Sequence, residues 1–151
     1  MPWKETPILI VEDNPTHQLL MRTALEENGV RNRIIEVDDG DDALDFVFGQ
    51  GEHAGRTDDQ IPGLICLDLK MPRVDGFEVL AALKSNEATK HIPVIVITTS
   101  PAEADIGRCD ALGANAYVTK PVQAVDLAEK LKILKMFWLI VAELPNPSPQ
   151  G

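Results

Sequence analysis

Acidic side chains follow two apolar runs of this sequence, each at the point where the run ends. Glu12 and Asp13 come directly after Ile8–Val11, and Asp68 comes directly after Leu64–Leu67. Carboxylate oxygens are the ligands that Mg²⁺ prefers, and it is typically held by one or two carboxylates together with a phosphate. The residue types at these two positions therefore predict a magnesium site.

A hydroxyl and a lysine end two further apolar runs. Thr98 follows Val94–Ile97, and Lys120 follows Ala116–Thr119 and precedes a proline. In a parallel α/β sheet, ligands bind at the carboxyl ends of the strands, so these groups can meet the acids in one pocket. An ammonium there can neutralise phosphoryl oxygens as a point charge. The set predicts metal-assisted phosphoryl transfer.

Each of these residues also has a simpler interpretation. Glu12 and Asp13 could only cap the first helix, although Asp13 or Asn14 could do so alone. A carboxylate such as Asp68 at the end of an apolar strand is costly unless it is paired or lies at the rim of a site. As a nucleophile it could accept a phosphoryl group. Asp75 is better explained as a turn or N-cap residue.

The elements that must position these residues alternate between strand-like and helical patterns, which predicts βα units and a parallel sheet. The predicted strands are Ile8–Val11, Arg33–Val37, Leu64–Leu67, Pro93–Ile97 and a fifth run that ends at Thr119. The predicted helices run from Pro15 to Asn28-Gly29, from Asp39-Gly40 through Val47, from Phe77 to Lys84, from Ala102 to Leu112, and from Gln123 to about Glu143. The polar segment between Gly49 and Gly63 predicts a surface loop.

Composition narrows the function classes. The 151 residues predict one domain over 1–144 with a proline-rich flexible tail over 145–151. A net charge of -10 argues against binding to a nucleic-acid backbone. The longest apolar run, Met136–Ala142, is far shorter than the ~20 residues that span a bilayer. We expect a cytoplasmic protein.

We also expect Cys66 to be a buried, inert thiol. His17, His53 and His91 are isolated, and we predict surface positions without chemistry for them.

The combination of these motifs resembles the response-regulator receiver domain from about Pro7 to Leu134. The residues that carry the resemblance are Glu12-Asp13, Asp68 with Lys70-Met71-Pro72 and Asp75-Gly76, Thr98, Tyr117 and Lys120-Pro121. The resemblance implies a flavodoxin-like, doubly wound, five-stranded parallel sheet of (βα)5 type with strand order 2-1-3-4-5. The helix predicted from Gln123 to about Glu143 gives this chain an extended C-terminal helix.

The resemblance implies a role for each residue of the motif. Mg²⁺ would be held by Glu12, Asp13, Asp68 and the backbone carbonyl of Lys70. Asp68 would take a phosphoryl group from a phosphohistidine of a partner histidine kinase, with Lys120 neutralising charge. Thr98 would hydrogen-bond the phosphoryl group, and Tyr117 would move between outward and inward positions. The protein would catalyse only its own phosphorylation and dephosphorylation, and would not otherwise be an enzyme.

The predicted last helix is apolar on more than one side, whereas a helix packed on a sheet needs one apolar stripe. We expect a homodimer through this helix, with Phe137, Trp138, Ile140 and Leu144 at the interface. The alternative is packing against an extended core. Together with Asn14-Pro15 and the long loop before the third strand, this segment resembles stand-alone, dimeric receivers that partner cyanobacterial phytochrome histidine kinases.

Two other functions stay open. One is a degenerate receiver that acts as a dimeric scaffold without phosphorylation. The other is a phosphatase with an aspartyl nucleophile, although enzymes of the haloacid-dehalogenase type would have a second acid at position 70, where this chain has Lys70. A nucleotide or flavin binder is disfavoured because no glycine-rich phosphate loop follows the first strand.

Overall fold

Five strands and five α-helices alternate along the computed structural model, which describes residues 6–55 and 61–133. The strands are β1 (Ile8–Val11), β2 (Ile34–Val37), β3 (Leu64–Leu67), β4 (Val94–Thr98) and β5 (Ala116–Thr119). The helices are α1 (Pro15–Glu27), α2 (Gly40–Phe48), α3 (Gly76–Ser85), α4 (Glu103–Leu112) and α5 (Ala124–Lys132). A single 3₁₀ turn, Gly51–His53, follows α2 within the described residues.

All strand pairs are parallel, and the strands lie in the order β2-β1-β3-β4-β5, which confirms the predicted order. Val11 lies opposite Leu67, the last residues of two neighbouring strands. Thr98 lies opposite Thr119 in the same way. Because these strand ends are level, the residues that follow them leave the sheet at one edge.

Side chains from both faces of the sheet are buried, as a parallel sheet between two helical layers requires. Ile8 and Ile10 of β1 pack in a core with residues of α1 and α5. Leu9 and Val11 pack in a second core with residues of α2, α3 and α4. The helices therefore cover the two faces of the sheet, and the residues that follow the strands lie at its carboxyl edge.

Local capping fixes where the helices nearest to that edge begin. The Asn14 side chain accepts hydrogen bonds from the backbone N–H groups of Thr16 and His17, and Pro15 occupies the first turn of α1. Asp75 and Glu78 form a reciprocal capping box at the start of α3, which confirms the interpretation of Asp75 as an N-cap. Since Asn14 caps α1, the carboxylates of Glu12 and Asp13 are not needed for that purpose.

Several predicted boundaries differ from the structure by one residue, as at the starts of β2 and α4 and at both ends of α3. Strand β4 is Val94–Thr98 instead of Pro93–Ile97, because Thr98 continues the pairing with β5 although it is polar. Helix α5 begins at Ala124, one residue later than predicted. Its predicted continuation to about Glu143, the tail and the interface residues Phe137, Trp138, Ile140 and Leu144 lie outside the described residues.

In the part that the structure describes, none of the helices has the length and apolar character that crossing a bilayer requires.

Candidate functional site

Three carboxylates meet at the carboxyl edge of the sheet. Glu12 and Asp13 leave the end of β1, and Asp68 leaves the end of the adjacent strand β3. One oxygen from each lies within 4.8 Å of the others. Glu12 and Asp68 are buried, at 1% and 5% exposure, whereas Asp13 is exposed. The level ends of β1 and β3 therefore bring together the acids that the sequence predicts for one site.

Lys120, which follows β5, supplies the positive charge of the site. Its Nζ donates a hydrogen bond to Glu12 Oε1 at 2.6 Å and lies 3.7 Å from Asp68 Oδ1. The lysine side chain is 2% exposed. Burial raises the pKa of Glu12 above its ordinary value, and the hydrogen bond from Lys120 opposes that rise. The lysine offsets part of the cost of burying two acids side by side.

His17, in the first turn of α1, also contacts the lysine. Its Nδ1 lies 2.9 Å from Lys120 Nζ and 3.8 Å from Glu12 Oε2. Burial, followed by the charge of Lys120, lowers the pKa of His17. The His17 side chain is 34% exposed, so it lies at the surface as predicted, but it also contacts the site, which the prediction did not include. No local sequence pattern predicts this contact, because Lys120 is 103 positions away from His17 in the chain.

A hydrogen-bonded chain links the site to the start of α4. Thr98 is fully buried, and its carbonyl accepts the backbone N–H of Lys120 at 2.6 Å. The Ser100 hydroxyl donates to Asp105 Oδ2 at 2.6 Å, and the Tyr117 hydroxyl donates to the Ser100 carbonyl at 2.8 Å. Burial raises the pKa of Tyr117. Hydrogen bonds thus connect the loop after β4 to α4 and to β5. The sequence did not predict the hydrogen bond between Ser100 and Asp105.

The turn after β3 is tightly packed against Asp68. A Cβ added to Gly76 would lie 2.3 Å from the Asp68 carbonyl oxygen, so only glycine fits there. The backbone N–H of Gly76 donates to the Leu69 carbonyl at 2.9 Å. The Lys70 side chain is exposed within this turn, and Arg73 adopts a positive φ of 63°. The sequence did not predict the strained backbone at Arg73.

The donor set fits a hard divalent cation. Three carboxylate oxygens lie within reach of one ion, and no thiol or imidazole belongs to this group. Oxygen donors of this kind suit Mg²⁺ and Mn²⁺ better than softer metals. The exposed carboxylate of Asp13 leaves an approach from solvent. The arrangement can therefore hold a cation next to the buried carboxylate of Asp68 and the buried ammonium of Lys120.

Comparisons with known proteins agree with this geometry. The family model for the response regulator receiver domain matches residues 8–132. The probable methanogenesis regulatory protein FilR2 of Methanothrix harundinacea is 38% identical over 141 residues, which are 93% of this chain and 88% of FilR2. The response regulator Rcp1 of Synechocystis is 38% identical over 138 residues, which are 91% of this chain and 92% of Rcp1.

Solved structures resemble the whole fold. The phosphorylated cyanobacterial phytochrome response regulator RcpA superposes with a TM-score of 0.80 at 38% identity, covering 94% of this chain and 99% of RcpA. The Mn²⁺-bound form of Rcp1 superposes with a TM-score of 0.79 at 37% identity, covering 93% of this chain and 99% of Rcp1. Superposition at these TM-scores over nearly the whole chain shows that these proteins share the fold described above.

Proposed function

This chain belongs to the response regulator receiver domain family, and on that premise we propose that it accepts a phosphoryl group on Asp68 from a partner histidine kinase. The observation that carries the proposal is the position of Asp68. Its carboxylate is buried at a strand end, beside the acids Glu12 and Asp13 and 3.7 Å from the Lys120 ammonium. A buried carboxylate without a partner would be destabilising, whereas Asp68 has the Lys120 ammonium nearby and lies beside carboxylates that can hold a cation. Both positive charges suit a dianionic phosphoryl group.

The proposed reaction is an in-line displacement at phosphorus. A carboxylate oxygen of Asp68 forms the new bond to phosphorus while the bond to the kinase imidazole nitrogen breaks. The leaving imidazole keeps the electron pair of that bond and takes up a proton. Lys120 draws towards the phosphoryl oxygens as they arrive.

Glu12, Asp13, Asp68 and the backbone carbonyl of Lys70 are the proposed ligands of Mg²⁺. When bound, the cation supplies positive charge that neutralises the phosphoryl oxygens. The fit of the three carboxylates supports this ligand set, and the Mn²⁺-bound form of Rcp1 supports a divalent ion in a relative. The residues of this chain otherwise contribute positioning and charge, with no further covalent step.

Thr98 and Tyr117 are the proposed switch residues. Thr98 ends β4 at the site edge, where its hydroxyl can donate to a phosphoryl oxygen. Tyr117 is tied to the loop after Thr98 through the Ser100 carbonyl. A shift of Thr98 towards the phosphoryl group would strain or release this hydrogen bond, which is how a local charge change biases a two-state element.

We also propose that the partner kinase is a phytochrome. RcpA and Rcp1 support this assignment, since RcpA is a phytochrome response regulator at 38% identity. Incubating the chain with autophosphorylated phytochrome kinase, and with an unrelated histidine kinase as control, tests the assignment. Equal transfer from both kinases would contradict it.

The remaining proposals concern assembly and location. We propose a cytoplasmic homodimer formed through the C-terminal segment with Phe137, Trp138, Ile140 and Leu144, and no binding to nucleic acid or membrane. Sedimentation of the wild type and of a Phe137→Ser, Ile140→Ser variant tests the dimer. An unchanged dimer in the variant would rule out this interface.

The test of the central proposal is incubation with acetyl phosphate and Mg²⁺, followed by intact-mass measurement. We expect an adduct of one phosphoryl group that requires the metal and is absent in Asp68→Asn. An adduct that persists in Asp68→Asn would place the acceptor elsewhere. A metal-replete wild type without adduct would favour a phosphorylation-independent scaffold, and turnover of an added phosphoester would favour a phosphatase.

A further inference from the structure

We propose that His17 is a positioning residue that holds the Lys120 ammonium in a resting position and competes for it with the phosphoryl group on Asp68. The kinetic part of this inference rests on the proposed function, whereas the hydrogen bond itself does not. Neither the sequence pattern nor the resemblance to receiver domains assigns His17 a role.

The geometry around Lys120 Nζ limits what the contact can be. The side chain is 2% exposed, so its N–H groups must find acceptors inside the protein. Glu12 Oε1 lies at 2.6 Å, His17 Nδ1 at 2.9 Å and Asp68 Oδ1 at 3.7 Å. At rest, the lysine is therefore bonded to Glu12 and His17, and only close to Asp68.

The chemistry of the two groups fixes the direction of the hydrogen bond. An ammonium has three donors and no lone pair, so Nδ1 of His17 must accept. The imidazole is then neutral and carries its proton on Nε2. This tautomer is a specific, measurable consequence of the contact, because an imidazole without such a partner populates both tautomers.

One residue organises both acceptors of the lysine. The backbone N–H of Asn14 donates to Glu12 Oε2 at 3.1 Å. The side-chain oxygen of Asn14 caps α1 and accepts the backbone N–H of His17 at 3.3 Å. The turn between β1 and α1 thus positions both Glu12 and His17 next to Lys120. The hydrogen bond between Lys120 and His17 therefore follows from the backbone structure of that turn.

The same position makes His17 a competitor. The proposed phosphoryl group would add negative charge at Asp68, and Lys120 would have to close the 3.7 Å gap to reach it. Its hydrogen bond to His17 must then stretch or break. Glu12 also holds the lysine, but Glu12 is a proposed metal ligand, so its removal would disturb the metal as well. His17 alone can be changed without removing a proposed ligand of the metal or the phosphoryl group.

Nitrogen NMR of the histidine rings tests the contact directly. In metal-free wild type we expect the His17 Nε2–H tautomer with an unprotonated Nδ1, and in Lys120→Met a mixture of tautomers. Exposed His91 is the internal control and should not change between the two proteins. Beryllofluoride with Mg²⁺, as a phosphoryl analogue on Asp68, should shift His17 towards its Lys120→Met spectrum. Protonation of Nδ1 in the wild type would overturn the proposal.

A matched pair of variants tests the consequence for phosphoryl transfer. Asn places an amide oxygen close to the position of Nδ1, and Leu has the same branched shape without an acceptor. We expect His17→Leu to take up phosphoryl groups from acetyl phosphate roughly three to ten times faster than wild type, a change within the range of one hydrogen bond of ordinary net strength. His17→Asn should stay close to the wild-type rate.

The outcomes separate the possible failures. Equal rates in the Leu and Asn variants, or a slower rate in the Leu variant, would overturn the competition. Urea denaturation of both variants measures their free energy of unfolding. A rate change that comes only from a less stable fold would be accompanied by a lower free energy of unfolding. If the wild type takes up no phosphoryl group, the proposed function fails. The ring spectra then still show whether His17 holds Lys120.

Discussion

Single residues decide how much charge the site can bury. Glu12 and Asp68 are both nearly inaccessible, and Lys120 is the cation that contacts them among the described residues. Removing one member of a buried ion pair typically costs about 3–5 kcal/mol, because it leaves a charge without compensation. The stability of the metal-free protein therefore depends on this lysine.

We predict that Lys120→Met lowers the free energy of unfolding of the metal-free protein by about 3 kcal/mol. Added Mg²⁺ should recover more of that free energy than it adds to the wild type, since a cation replaces the lost charge. Urea denaturation in EDTA and in MgCl₂ measures both effects. Lys84→Met is the control, because Lys84 Nζ bonds the Ile92 carbonyl at 2.8 Å, away from the acids. An equal response to Mg²⁺ in both variants would refute the prediction.

The two cysteines give the stability a dependence on alkaline pH. Burial raises the pKa of Cys66 to about 12 and that of Cys109 to about 11, from 9.0. Above pH 9 the unfolded chain loses these protons while the folded chain keeps them, so stability falls as pH rises from 9 towards 11. The expected loss is about 1.4 kcal/mol per thiol and pH unit. Denaturation of wild type and a Cys66→Ala, Cys109→Ala variant between pH 8 and about 10.5 should show a steeper decline in the wild type.

At the scale of elements, the turn between β3 and α3 sets the position of Asp68. Gly76 begins α3 where a Cβ would lie 2.3 Å from the Asp68 carbonyl oxygen and 2.6 Å from Leu69 Cα. Both contacts are to backbone, which cannot rotate away as a side chain can. Any side chain at Gly76 must therefore move the turn that carries the proposed ligand Lys70.

We predict that Gly76→Ala lowers the free energy of unfolding by about 2 kcal/mol or more, as overpacking does, and slows phosphoryl uptake. Gly107→Ala is the matched control, because Gly107 lies in α4 with nothing within 4 Å of its added Cβ. Alanine there should stabilise the protein by about 0.5–1 kcal/mol through helix propensity. Chemical denaturation measures both. Equal effects of the two substitutions would contradict the close approach at Gly76.

Elements also show what a sequence can and cannot reveal. Strand periodicity, the cap at Asn14 and the glycine after Leu112 predicted the described ends of the helices and strands to within one or two residues, because these signals are local. The end of β4 at Thr98 was missed because its pairing with Thr119 is a tertiary contact. The contact between His17 and Lys120 was missed for the same reason. The acids of the site were predictable because parallel strands share one carboxyl edge.

At the scale of the whole molecule, the excess of acid favours cation binding at one edge of the sheet. The chain has 24 acidic and 14 basic side chains, and its net charge is -10. Salt of any kind should screen the repulsion among these charges and stabilise the fold. A cation held by Glu12, Asp13 and Asp68 should add a further contribution, because it binds the folded state alone.

We therefore predict that MgCl₂ raises the melting temperature more than NaCl does at equal ionic strength. At about 100 times the dissociation constant, binding adds about 2.7 kcal/mol, beyond the effect of screening. Asp13→Asn should remove most of this excess, since Asp13 is exposed and its loss leaves the core intact. Asp110→Asn, an exposed position on α4, removes the same charge and should keep the excess. If both variants lose it equally, Mg²⁺ acts through net charge alone and not through a site at the strand ends.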